Sequence, residues 1–190
     1  MFRKPLIRKY LVYLVILASY GISTKILCAA KQHFRWQNHP SAEKWHEFQD
    51  LSSESRLKAW YSMKDFGWDK IKWKWKLALI VACDTNINQE FCKQVMILAL
   101  KDKALVVRAQ SASLIAKAYH KNPDSRIISL LEKASANSNN YRGGEPLYVQ
   151  YRIIHALHEI GGAKAAAAAR HIATAHKKTY SYWSKLTKKL

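Results

Sequence analysis

From residue 68 to residue 77 the chain reads WDKIKWKWKL, in which lysine alternates with apolar residues as along a half-buried strand. Carried on through ALIVA, the alternation turns into a helical pattern. At about 100° per residue, Ile71, Trp75, Ala78, Leu79 and Ala82 share one stripe, and Trp73, Leu77 and Ile80 share another almost opposite. Two apolar stripes suit a helix covered on two sides. Trp75 is therefore expected in the core and Trp73 against the preceding helices. Lys72 and Lys76 fall in one gap between the stripes, Lys70 and Lys74 in the other, so all four are expected on a solvated rim.

The same pattern recurs. KWKLALIVA (Lys74 to Ala82), RAQSASLIA (Arg108 to Ala116) and RIIHALHEI (Arg152 to Ile160) can be laid over one another. Lys74, Arg108 and Arg152 open the three segments. Ala78, Ala112 and Ala156 come four residues later, and Ala82, Ala116 and Ile160 four after that. An i, i+4, i+8 stripe of mostly small residues lets one helix lie close to another. Each segment is followed by a break and a second amphipathic stretch, so the predicted unit is helix, turn, helix. Asn86 or Asn88, and Pro123 or Asp124, suit helix starts; Gly161-Gly162 suits a helix end. The spacing is 34 residues, then 44, and the excess lies in ANSNNYRGGEPL, from Ala136 to Leu147. Upstream, two shorter helices are expected from Ser41 and near Ser53, with Glu43 and Glu54 favourably placed on the helix dipole. With only six Gly and four Pro and long runs of Ala, Leu, Lys and Ile, the prediction is an all-α chain.

DKALVVRAQSASLIAKA and YVQYRIIHALHEIGG each place a hydrophobic pair or near-pair before an Arg, an Ala four residues on and a Leu/Ile-rich close, and Asp102 stands before ALVVR in the first. In these features residues 68–179 resemble HEAT-type repeats. The first unit is the loosest match, with Lys74 in place of Arg. The resemblance implies a short right-handed α-solenoid of three HEAT-like hairpins with N-terminal capping helices. The expected division is a signal segment at 1–30, a linker with capping helices at 31–67, repeats at 68–179 and a basic tail at 180–190. Because such repeats serve many partners, the resemblance speaks for the fold and leaves the function open.

Charge narrows the partner. There are 32 Lys+Arg against 13 Asp+Glu, a net charge of +19, and a field of that sign attracts polyanions. At the N-terminus, Arg3, Lys4, Arg8 and Lys9 precede an apolar run from Leu11 to Ile22, and Cys28-Ala29-Ala30 offers small residues for cleavage, which is the order of a secretory signal peptide. An uncleaved signal anchor from Leu11 to Ala30 is the second reading, and acylation at Cys28 is disfavoured by Leu27. Cleavage after Ala30 would lower the charge only from +19 to +14, so the basic character belongs to the folded part. A periplasmic or secreted location follows as the expectation; the anchored form would hold the repeats outside the cytoplasm and meet the membrane only through this segment.

Candidate chemistry is sparse. Cys83 and Cys92, nine apart, can pair in an oxidising compartment; two buried thiols are the preferred alternative. His155, His158 and Glu159 lie on one predicted helix without the order of a zinc hydrolase, and His171 and His176 face differently, so no metal or other cofactor is expected. Within the insertion, Tyr141 can stack, Arg142 can pair with an anion and Gly143-Gly144 can offer backbone amides. The expected function is that of an exported, non-catalytic binding or scaffold protein engaging an acidic protein or anionic envelope polymer. Its expected contacts are Lys72, Lys74, Lys76, Arg108, Tyr141, Arg142 and Arg152. The alternative is a nucleic-acid-binding protein, similar to alkylpurine DNA glycosylases in being a basic HEAT-like solenoid; a cytoplasmic location would favour it. A HEAT-like lyase or chaperone acting on another polypeptide is the third reading.

Overall fold

The computed structural model describes residues 34–143 and 145–175; the expected signal segment and basic tail lie outside them, as does His176. The described chain is mostly helical. Its helices are α1 (Ala42–Gln49), α2 (Ser53–Phe66), α3 (Trp73–Cys83), α4 (Glu90–Ala99), α5 (Leu105–Ala118), α6 (Ser125–Ser135), α7 (Tyr148–Ile160) and α8 (Gly162–Ala175). Short 3-10 turns cover Trp68–Lys70, Asp84–Asn86 and Ser138–Asn140. Among the described residues no helix is long and apolar enough to cross a membrane.

Local chemistry sets the helix ends. Ser41 and Ser52 cap α1 and α2 with their hydroxyls, accepting from the amides of Lys44 and Ser55, and Glu43 and Glu54 sit in the first turns. Asp124 caps α6 by accepting from the amides of Arg126 and Ile127. Gly161 ends α7 at φ 75°, and Gly162 follows at φ 82°. A β-carbon on Gly162 would lie 3.2 Å from Cβ of Pro123, so this turn needs glycine for contact as well as for conformation.

The lysine–tryptophan run is a 3-10 turn followed by a helix. The alanines behave as their spacing predicts: Ala78, Ala112 and Ala156 are fully buried, and Ala82, Ala116 and Ile160 are buried beside them. Through these stripes α3 packs on α5 and α5 on α7, while α1 covers the other flank of α3. Behind this row, α4 packs against α3 and α5, α6 against α7 and α8, and α8 against α7. Trp68 and Lys76, near the start of α3, bond to Asp102 just before α5. At the other end, Lys117 bonds to Asp84, and His120 to Glu159. Start meets start and end meets end, so α3, α5 and α7 run side by side in one direction.

The segment before α1, expected as a linker, belongs to the core. Phe34 and Trp36 are buried and stack with centroids 5.3 Å apart. Both meet Trp75 edge-on, each at 5.2 Å. Trp75 in turn donates its indole N–H to the carbonyls of Arg35 and Asn38, so this tryptophan fastens the incoming chain to α3. The insertion between α6 and α7 is ordered by the 3-10 turn and a two-residue antiparallel ladder, with β1 (Tyr141–Arg142) against β2 (Glu145–Pro146).

Candidate functional site

The basic residues singled out in the sequence divide into two groups with opposite roles. Lys76 and Arg108 face inward. Lys76 is 4% exposed; its ammonium lies 2.6 Å from Asp102 Oδ2 and 5.1 Å from the centroid of the Trp68 ring. The rim position expected for it is therefore wrong. The side chain follows the helix back towards Trp68, where a buried carboxylate awaits it. Asp102 accepts three donors in all, from Lys76, from the Trp68 indole and from the amide of Ala104. Arg108 is 1% exposed and is equally removed from any contact surface. Its Nη1 donates to the carbonyls of Asp102 and Lys103, Nη2 to that of Asn139 and Nε to Asn140 Oδ1. Burial lowers its pKa and the Asp102 charge opposes the shift. Asn140 passes the link on by donating to the carbonyl of Ala134.

Lys76 bonds the turn before α5, Arg108 bonds the turns before α5 and α7, and on α7 the buried Gln150 donates back to the Ser135 carbonyl and to Tyr141 Oη. Of the three basic residues that the sequence pattern aligned, Arg108 is internal, Lys74 is exposed and Arg152 is half-buried. Tyr141 is half-buried, with its hydroxyl donating to the Ser135 carbonyl, so it braces the insertion. Burial raises its pKa, against the effect of the Gln150 hydrogen bond.

The remaining residues face outward. Among the described residues, no other helix covers one strip of α3, α5 and α7, all on the same side. On α3 the strip is Trp73, Leu77 and Val81; on α5 it is Val106, Gln110, Ser113 and Lys117; on α7 it is Tyr148, Arg152, His155 and Glu159. Trp73 is 38% exposed, correcting the expectation that it packs inward. It meets His39 edge-on at 5.9 Å, and the Lys74 ammonium lies 5.9 Å from its ring centroid. Lys72 and Lys74 are exposed at the same end of α3, and Arg142 is exposed on β1.

Between α5 and α7 this side is indented by an open groove of roughly 560 Å³, lined by Ser113, Ala116, Lys117, His120, Arg152, His155 and Glu159. Lys117 is held by Asp84 at 2.7 Å. Glu159 faces both histidines, 2.8 Å from His120 Nδ1 and 3.8 Å from His155 Nε2. Arg152 stacks on Tyr148, 4.6 Å from the ring centroid, and forms no ion pair or hydrogen bond among the described residues. Partial burial lowers its pKa. Tyr148, Lys117 and His120 escaped the sequence reading, although the four-residue spacing from Tyr148 to Arg152 on one helix would have shown the stack.

Cys83 and Cys92 are both buried free thiols. The Cys92 thiol beside it and burial both raise the Cys83 pKa. Among the described residues no group of three or more His, Cys, Asp or Glu is arranged to hold a metal ion. Compared with known proteins, the chain matches no family model, no curated sequence and no solved structure.

Proposed function

We propose that the chain is a short right-handed α-solenoid of HEAT-like hairpins that acts, without catalysis, as a binding or scaffold module for an acidic partner outside the cytoplasm. The observation that carries this reading is the uncovered side of α3, α5 and α7. It combines exposed apolar residues (Trp73, Val81, Val106) with cationic ones (Lys74, Lys117, Arg152). Apolar anchors beside cations suit a protein segment bearing carboxylates, since the apolar groups supply affinity and the charges supply orientation. Lys72, Lys74, Arg142 and Arg152 are the contacts from the sequence analysis that remain available; Lys76 and Arg108 are internal. The signal-like start and the net charge of +19 support export and an acidic partner.

A photocrosslinking residue placed at position 73 or 106 in living cells, with position 133 on the second row as reference, tests the reading. Discrete adducts to an acidic protein from 73 and 106, absent from 133, in the extracytoplasmic fraction are the expected result. A cytoplasmic protein crosslinked to nucleic acid from the same positions would replace it with the glycosylase-like alternative.

A further inference from the structure

We propose that Arg152, stacked on Tyr148 at the edge of the α5–α7 groove, is a carboxylate clamp for an aspartate or glutamate side chain of a bound peptide. The proposal rests on the binding role of the uncovered side and names the chemistry of one subsite within it.

The other basic side chains of the groove already have carboxylate partners. Lys117 is held by Asp84, and the two oxygens of Glu159 are turned towards His120 and His155. Buried Arg108 spends its guanidinium on three carbonyls and an amide oxygen. Half-buried Arg152 keeps its donors unspent among the described residues, while its guanidinium lies over the Tyr148 ring, 4.6 Å from the centroid. A stacked, partly desolvated guanidinium presents a planar fork that matches a carboxylate with two parallel hydrogen bonds. Partial burial strengthens that pairing relative to a rim charge, and the stack reduces the entropy lost on binding.

The groove also argues for a peptide over a nucleic-acid backbone. Glu159 stands on the same face of α7 as Arg152, and Asp84 lies beside Lys117. Duplex DNA carries a charge about every 1.7 Å along its axis, and would bring phosphates against these acids. An isolated carboxylate avoids them, and Ala116 and Ser113 in the groove leave room for the chain that carries it.

The test is fluorescence anisotropy with the full chain and a fluorescein-labelled peptide of alternating glutamate and leucine. Arg152→Lys keeps the charge and loses the fork; Tyr148→Ala keeps the charge and loses the stack. Lys133→Ala, on the exposed face of α6, removes a positive charge away from the groove. Both groove variants are expected to weaken binding roughly tenfold, with Lys133→Ala near wild type and the thermal midpoint of Arg152→Lys unchanged. Replacing glutamate by glutamine in the peptide should abolish the difference between wild type and Arg152→Lys. Wild-type affinity in Arg152→Lys would overturn the clamp. If Trp73→Ala then still weakened the peptide, the uncovered side would stand as the binding surface and only the subsite would fall. No binding by the wild type would also overturn the clamp, leaving the surface to be judged by crosslinking. Displacement of the peptide from wild type and Arg152→Lys alike by a DNA duplex would identify a general polyanion surface and overturn it too.

Discussion

Lys76 and Asp102 form a buried ion pair at 2.6 Å that joins the first turn of α3 to the entry of α5, with the Trp68 indole donating to the same carboxylate oxygen. Desolvation of two charges offsets much of their attraction, so the pair serves to fix how the helices meet more than to add net stability. Removing only one partner is different, because it strands the other charge. Asp102→Ala strips the acceptor from Lys76, Trp68 and Ala104 together and is expected to cost about 3–5 kcal/mol in urea unfolding. Lys76→Met should cost less, since two donors to Asp102 survive. The double variant should lose less than the sum of the two single losses. Simple additivity would mean that the pair does not couple the helices.

Two tryptophans two residues apart should behave oppositely. Trp75 is 2% exposed, packs with Phe34, Trp36 and Phe48, and holds two carbonyls of the incoming chain. Trp75→Ala is expected to cost about 3–5 kcal/mol. Trp73, 38% exposed, should cost under about 1 kcal/mol on the same change, while weakening binding of the acidic peptide. Denaturant titration and anisotropy on both variants separate a core role from a surface one. A large stability loss in Trp73→Ala would return it to the core.

Periodicity was sufficient to find the helices, because burial of one face imposes a repeat that can be counted. Ala78, Ala112 and Ala156 reach the interior as their spacing requires. The serine and aspartate caps at Ser41 and Asp124 were legible for the same local reason. What the pattern could not supply was where a long polar side chain goes. Lys76 reads as a rim lysine until Asp102 is brought beside it from 26 residues away. Arg108 and Arg152 look equivalent in sequence, yet one is internal and the other lines a groove. Phe34 and Trp36 carry no helical repeat, so nothing local marked them as core. Of the candidate site, the cationic character was legible, but the carboxylate partners of Lys117 and His120 depend on the packing of α3 against α5 and of α5 against α7.

Cys83 and Cys92 should be unreactive in the folded protein. Both are buried, and the neighbouring Cys92 thiol together with burial holds the Cys83 thiol protonated well above the usual thiol range. Under native conditions, alkylation at these two residues, followed by peptide mass mapping, is expected to be far slower than in urea. In urea both should label fully without reductant. Label missing from both after unfolding, and recovered on reduction, would show that the adjacent sulfurs had been oxidised to a disulfide.

Tyr141 gives the insertion a signature at alkaline pH. Burial raises its pKa above the ordinary tyrosine value of about 10. In the unfolded chain the phenol therefore ionises first. Its contribution to stability is complete below that ordinary value and is lost as pH rises through it towards the higher folded value. Tyr141→Phe removes the titration, so its stability should fall less steeply with pH across that window. At neutral pH it should cost about 0.5–1.5 kcal/mol for the lost hydroxyl bonds to Ser135 and Gln150. Parallel slopes for the two proteins would exclude Tyr141 as the titrating group.

Arg108 should control the order of the insertion it touches. Its Nε and Nη2 hold Asn140 and the Asn139 carbonyl, and Asn140 in turn accepts from the amide of Leu147 at the start of α7 and donates to the Ala134 carbonyl at the end of α6. Arg108→Lys keeps the charge but cannot reproduce a fork that spans both turns, so buried carbonyls lose their donors. An expected loss of about 2–4 kcal/mol follows from unsatisfied buried acceptors and a displaced buried charge. Hydrogen–deuterium exchange distinguishes this local linkage from general weakening. In the variant, amides from 137 to 147 should exchange faster at denaturant levels where those of α3 remain protected. If the whole chain lost protection together, Arg108 would be a global packing residue, with no separate hold on the insertion.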